Sequence, residues 1–305
     1  MCRASWKIAR NTHFLFRGNE RSMSEPISRS GPLQKATPER HWPVAAYPLM
    51  LTLSIAWHVV ALAGCVVIPH AWPWWLAGTA VNHAAFTLAG LWPRSSLLGP
   101  NWTQLPPTRS NQDAIALTFD DGPDPQVTPK LLDLLDSYGV HATFFCIGAR
   151  ALRYPDLIRD IVARGHAIES HSQTHPLTFS VKGMRAQARE VEAAQQTLTE
   201  LTGRRPIFFR APAGLRNLLL EPVLQKYDLR LAAWTRRGFD TRETDPERVA
   251  QRLLHNLAAR DILLLHDGNA ALTRDVQPVL LPVLPRVIEA ARARNLRFVL
   301  LRDAV

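Results

Sequence analysis

Residues 114–123 read AIALTFDDGP, an unbroken β-type apolar run that ends in two carboxylates, a glycine and a proline. A short apolar run bounded by turn residues is the pattern of a strand covered on both faces, as in a parallel sheet flanked by helices. Six similar runs follow at 142–147, 167–170, 207–210, 230–235, 262–265 and 297–301. Helical stretches lie between them at 128–138, 155–164, 182–201, 246–259 and 276–293. This alternation predicts an α/β fold with a parallel sheet or barrel rather than a sandwich. Seven units over residues 113–305 fall short of the roughly 250 residues of a closed eight-stranded barrel, so a distorted, incomplete (β/α)7 barrel is expected.

In such folds the chemistry sits where strands end and loops lead into the next helix. Five of the seven runs end in polar clusters: TFDDGP at 118–123, SHSQTH at 170–175, FRAPAG at 209–214, WTRRGFD at 234–240 and LLLHDG at 263–268. Asp121, His171 and His175 supply one carboxylate and two imidazoles, a set suited to Zn, Co, Ni, Mn or Fe that leaves coordination positions open. The spacing of His171 and His175 predicts both rings on one side of a helical turn. Gly122 and Pro123 predict a turn that brings Asp120 and Asp121 to the same mouth, one to bind a metal and the other to take a proton. The three cysteines, Cys2, Cys65 and Cys146, lie far apart, which excludes a disulfide framework or a CxxC metal site. His141, His166 and His255 read as packing or surface histidines, and Cys146 as a small buried hydrophobe.

These segments resemble the NodB-type polysaccharide deacetylases, carbohydrate esterase family 4, over about residues 113–303. TFDDGP at 118–123 and HSQTH at 171–175 match the first two motifs of that family. The resemblance implies Asp120 as general base and Asp121, His171 and His175 as ligands of one divalent metal ion, zinc first, with Co, Ni or Mn as alternatives. The third motif, RxPYG, stands as RAPAG at 210–214. It implies Arg210 as the residue that orients the base and Ala213 as a backbone N–H donor to the oxyanion, without the aromatic wall of the family. The fourth motif, DxxDW, is divergent: counting from Trp234 puts Arg237, Asp240 and Thr241 at its marked positions, so Asp240 is the candidate that tunes the catalytic histidine. The fifth, LxH, is Leu264, Leu265 and His266, implying His266 as general acid and Leu264 beside the substrate. The implied reaction is hydrolysis of the N-acyl amide of an amino sugar in a polysaccharide or lipid-linked glycan. Two alternatives stand beside it: a deformylase or other linear-amide hydrolase, and an inactive glycan-binding membrane protein. A full set of base, acid and ligands argues against the last.

Residues 44–93 contain no Asp, Glu, Lys or Arg. A bilayer core about 30 Å thick needs roughly 20 apolar residues per helix, so a transmembrane hairpin is expected, with spans near 47–68 and 72–92. Gly78, Ala80, Ala84 and Ala85 suit close helix contact, and Trp72, Trp74, Trp75 and Trp92 suit the interfaces. Residues 1–43 hold eight Lys/Arg against three acids without periodicity and read as a basic disordered tail in which Met1 or Met23 could be the start. Residues 94–112, rich in Pro, Ser and Asn, read as a linker. The net charge of +10 is concentrated in the tail, whereas residues 113–305 hold 26 basic and 23 acidic residues. This argues against nucleic-acid binding. Positive charge before the first span predicts an inner-membrane protein with its catalytic domain on the cytoplasmic face. If only one span crosses, that domain lies on the periplasmic or outer face. Arg236, Arg237 and Arg242 crowd the divergent motif, either as a solvated face or as forks suited to phosphate.

Overall fold

The computed structural model describes residues 49–305; the expected basic tail at 1–43 and the beginning of the expected first span lie outside the described residues. Helix α1 (Leu49–Val67) and helix α2 (Trp72–Leu91) form a pair joined by a short turn at Pro69–Ala71. Their contact depends on small residues. An added Cβ on Gly64 would come within 2.5 Å of the Trp75 ring, and one on Gly78 would overlap the Trp57 ring. Polar groups turn toward the partner helix, with Trp57 Nε1 donating to Thr79 Oγ1 at 3.2 Å and Asn82 Nδ2 to Ser54 Oγ at 2.8 Å. Large apolar side chains such as Leu53, Val66, Trp74 and Val81 point outward. Among the described residues α1 alone is both long and apolar enough to cross a membrane. The second expected span is equally helical, but Asn82, His83 and its glycines reduce its hydropathy.

The polar domain alternates strands with helices: β1 (Ala114–Asp120), α3 (Thr128–Ser137), β2 (Thr143–Cys146), α4 (Gly148–Arg153), α5 (Pro155–Ala163), β3 (Ala167–Ser170) and α6 (Met184–Thr202). Next come β4 (Phe208–Phe209), α7 (Leu220–Lys226), β5 (Arg230–Leu231), β6 (Arg236–Arg237), α8 (Pro246–Leu254), β7 (Ile262–His266), α9 (Leu280–Ala293) and β8 (Arg297–Phe298). All ladders are parallel, in the order β5-β4-β3-β2-β1-β7-β6, with β8 paired to the start of β1. Local chemistry sets the helix ends. The Asp245 carboxylate accepts from Glu247 N at 2.9 Å to cap α8, with Pro246 in its first turn, and Gly203 ends α6 in a left-handed conformation at φ 67°.

The sequence reading of one strand at 230–235 is corrected by the pairing. Only its first two residues form a strand, β5, which pairs with β4; the rest leads into β6, just beyond the run, which pairs with β7. β5 and β6 are therefore neighbours in sequence and opposite edges of the sheet. Only residues 232–235 join them, a reach of at most about 17 Å at ~3.5 Å per residue, so the sheet must curl into a half-barrel that no ladder among the described residues closes. The stretch 94–112 crosses this gap as packed chain. Trp102 N donates to Leu231 O and Trp102 O accepts from Ala233 N, both at 2.9 Å, Leu105 N donates to Arg260 O, and Leu98 and Leu105 are buried.

Period-two alternation divides the sheet into two faces. On the convex face, Ile115, Leu117, Phe119, Phe144, Leu263 and Leu265 pack under α3, α8 and α9 in the main core. On the concave face, Ala114, Ala116, Phe145, Phe208, Ile262 and Leu264 form a second, smaller core. Following that same column along β1 leads through Thr118 to Asp120.

Candidate active site

Asp121 departs from the strand alternation because its own backbone is left-handed, at φ 71°, a conformation Asp tolerates better than most residues. The turn therefore begins at Asp121 itself, ahead of the Gly122 and Pro123 that signalled it. His171 leaves β3 with its N–H still bonded to Cys146 O at 3.0 Å, and its Nδ1 lies 2.8 Å from Arg210 O. A carbonyl only accepts, so Nδ1 carries the proton and Nε2, the nitrogen left for a metal, stands 3.3 Å from Asp121 Oδ1. His175 Nε2 stands at the same 3.3 Å from that oxygen.

The expected helical turn between the two histidines is absent: residues 171–176 form an irregular loop with Ser172 and His175 at φ 64° and 51°. Pro176 disfavours helical geometry at His175, and the Ser172 hydroxyl accepts from His175 N at 3.0 Å to close the loop. The rings still converge, with centroids 4.7 Å apart.

The three side chains fit a divalent cation. Their ligand atoms lie within 4.8 Å of one another, and Asp121 Oδ1 is buried without a hydrogen-bond partner. A separation of 3.3 Å between donor atoms is also about the edge of a tetrahedron with bonds of ~2.0–2.1 Å. Burial opposes ionisation of Asp121, yet His171, His266 and His175 hold its carboxyl well below the usual range. Burial disfavours a proton on His171, but Asp120 and Asp121 outweigh it and raise its affinity. For His175, burial and then the nearby His171 lower it.

Asp120, at the end of the concave column, is held by Arg210. Arg210 Nη1 donates to Asp120 Oδ1 at 2.6 Å and to Thr118 Oγ1 at 2.9 Å. Its remaining bonds go to Ala232 O and Ala233 O at 3.2 and 2.8 Å, and the guanidinium lies 4.0 Å over the Phe145 ring. Arg210 is almost wholly buried, so the Asp120 pair and the carbonyls stand in for its lost water.

β7 pairs with β1 so that His266 lies opposite Asp120. Asp240, itself fully buried, accepts from His266 N at 2.7 Å and bonds His266 Nδ1 at 2.9 Å. The divergent fourth motif thus brings its surviving carboxylate to the histidine, and Nε2 of His266 has no hydrogen-bond partner among the described residues. Burial lowers the proton affinity of His266, and Asp240, with Asp120 and Asp121, more than reverses this. Ala213, itself exposed, sits at φ 55° in the turn Pro212–Gly214 that follows β4. Leu264 is buried in the concave core two residues below His266.

Several contacts at the site carry no motif. Asn269 Nδ2 donates to the second oxygen of Asp121 at 3.0 Å, while Arg150 holds Asn269 Oδ1 and Asp121 O, both at 2.9 Å. Asp267 accepts from Thr128 Oγ1 at 2.7 Å with its other oxygen unpartnered, and burial, with Asp121 and Asp120 nearby, pushes it up to about 7. It lies so close to Gly122 that any Cβ there would overlap its carboxylate. The only sequence cue for Asp267 and Asn269 is their place just after His266.

The family model for polysaccharide deacetylase matches residues 108–232. A peptidoglycan-N-acetylglucosamine deacetylase of Bacillus cereus is 30% identical over 192 residues, covering 62% of this chain and 87% of the relative. A chitooligosaccharide deacetylase of Azorhizobium caulinodans is 36% identical over 159 residues, covering 52% and 75%. Among solved structures, a family 4 carbohydrate esterase from Streptomyces lividans superposes with a TM-score of 0.55 at 29% identity, covering 61% of this chain and 91% of that one.

Proposed function

This chain belongs to the polysaccharide deacetylase family, hydrolases of the amide C–N bond of acetylated sugars, and from that premise we propose that it is a membrane-anchored, metal-dependent deacetylase of N-acylated amino sugars. The observation that carries this reading is the meeting of Asp121, His171 and His175 beside Asp120 and His266 at adjacent strand ends. Bound there, a divalent cation would lower the pKa of a water molecule and polarise the acyl carbonyl.

The protein side chains then divide the proton work. Asp120, kept ionised and aimed by Arg210, takes the proton of the attacking water. The backbone N–H of Ala213 donates to the developing oxyanion. His266, protonated and oriented by Asp240, gives its Nε2 proton to the departing amine. Leu264 forms the apolar floor beneath His266, where an acyl methyl group would rest. A binding protein without turnover has no use for both a base clamped by arginine and an acid clamped by aspartate.

The proposed organisation is a basic tail at 1–43, a membrane hairpin at 44–93 and the deacetylase domain at 113–305, with 94–112 tying the two together. The outward apolar side chains of α1 and α2 and the polar bonds between these helices support the hairpin. The charge of the tail supports an inner-membrane protein whose catalytic domain faces the cytoplasm. Acetate release from N-acetylglucosamine oligomers by the full chain in detergent tests the activity, with a parallel formylated panel. Chelation should abolish release and added Zn, Co, Ni or Mn should restore it. Turnover of formyl compounds alone would replace the deacetylase reading, and chelator-resistant turnover would remove the metal.

A further inference from the structure

Arg236 and Arg237 are adjacent in β6, and the parallel register sends them to opposite faces. Arg236 pairs with Leu263 of the convex face, and its guanidinium is consumed by Asp261 at 2.9 Å and by the carbonyls of His255 and Asn256. Arg237 pairs with Leu264, whose side chain belongs to the concave core below Asp120 and His266. There it lies 5.3 Å from the Trp234 ring and 4.9 Å from Phe239. Its Nε is buried without an acceptor, and among the described residues no carboxylate pairs with it. Arg210, lowered chiefly by burial and supported by Asp120, also feels the charge of Arg237.

A buried, unsatisfied donor on a charged group costs about 1–3 kcal/mol or more, so a half-buried guanidinium braced by two aromatic rings is suited to an anion. It stands where the family resemblance implies an aspartate, so the sign of the charge is reversed beside the site. We infer that Arg237 recognises a phosphate group, and that the N-acylated amino sugar taken by this chain carries one beside the sugar. This rests on the proposed deacetylase reading.

The surroundings fit a phosphate at a membrane surface. Arg94, just beyond α2, donates from Nη1 to Thr235 O at 3.4 Å, two residues from Arg237. The end of α2 is fastened to the rim loop that carries Ala213, with Gly90 O accepting from Arg216 N at 3.1 Å. Arg216 Nη2 also bonds Ser95 O and Gly99 O at 2.6 and 3.0 Å. The mouth therefore lies beside the emerging helix, where a lipid-linked phosphosugar would present its headgroup. A free sugar phosphate offers the same chemistry.

The test compares the full chain with R237Q and R237K in detergent. The substrates are N-acetylglucosamine 1-phosphate, its neutral methyl glycoside, and N-acetylglucosamine linked to a polyprenyl phosphate in nanodiscs. Charge-assisted bonds to phosphate predict a kcat/KM about tenfold or more higher for the phosphate than for the methyl glycoside, arising in KM. R237Q should bring this ratio near one, and R237K should keep part of it because the charge remains while the fork is lost. A ratio near one in the unaltered chain, or one that survives in R237Q, would overturn the proposal. A further gain for the lipid-linked compound identifies the membrane source, and its absence the free sugar phosphate. If no compound is hydrolysed, the deacetylase reading fails. Calorimetric binding of N-acetylglucosamine 1-phosphate then still decides the anion site: loss in R237Q sustains it, and equal binding ends it.

Discussion

The two faces of β1 divide the labour of this protein. On the convex side Ile115, Leu117 and Phe119 are wholly buried beneath helices. On the concave side the intervening residues change from Ala114 and Ala116 through Thr118 to the carboxylate Asp120. A single strand thus places stability on one face and the proposed chemistry at the end of the other. Polar groups are tolerated there because each has an assigned partner, as Arg210 is for Asp120 and Asp240 for His266. The exceptions include Asp121 Oδ1, which the proposed cation would satisfy, one oxygen of Asp267, and Nε of Arg237.

This contrast can be broken in descending order of effect. His171→Ala should abolish both turnover and bound metal, measured by acetate release and elemental analysis; stoichiometric metal in the variant would dissolve the ligand set. Asp120→Asn should keep the metal and lose about 10²–10⁴-fold in kcat, within the usual reach of a general base. Retained turnover removes Asp120 from that role. Asp240→Asn should reduce kcat by up to about 10⁴-fold, as loss of an orienting carboxylate does. Because Asp240 raises the proton affinity of His266, the alkaline limb of the rate profile should also move to lower pH. An unmoved limb would separate His266 from the rate.

The convex face should respond in stability rather than in rate. Leu117→Ala should cost about 2–5 kcal/mol in denaturant unfolding, with kcat per folded molecule preserved. A large kcat loss would show that the faces are not separable. The smallest effect concerns His166, which accepts from Ala142 N at 3.1 Å through Nδ1 and whose burial lowers it to about 4. Its folded value is below the ordinary 6.5, so the unfolded chain takes up the proton first. Stability is then full above pH 6.5 and declines by up to about 3 kcal/mol as pH falls toward 4. His166→Gln should flatten that decline in thermal melts, and an unchanged slope would place its origin elsewhere.

Much of the site was legible because its residues sit directly at strand ends, where Asp120, Asp121, His171 and His266 follow their apolar runs without an intervening element. The histidine pair was legible as a pair, yet its helical turn was not found, since spacing is blind to the proline that breaks it. Asn269 and Arg150 escaped notice. Their connection to Asp121 joins three distant segments and leaves no periodic trace. The linker reading of 94–112 was right about composition and silent about Leu98 and Leu105, which are buried only because the sheet curls over them.

From the chain alone came the alternation of strands and helices, the polar strand ends and the uncharged stretch before them, because these depend on neighbours within a few residues. Tertiary structure alone decided that residues 230–231 and 236–237 serve two opposite edges and that Asp240 reaches His266. It also decided that Arg237, and not Arg236, faces the site. Each of these turns on which strand pairs with which, and that choice is made by surfaces far apart in sequence.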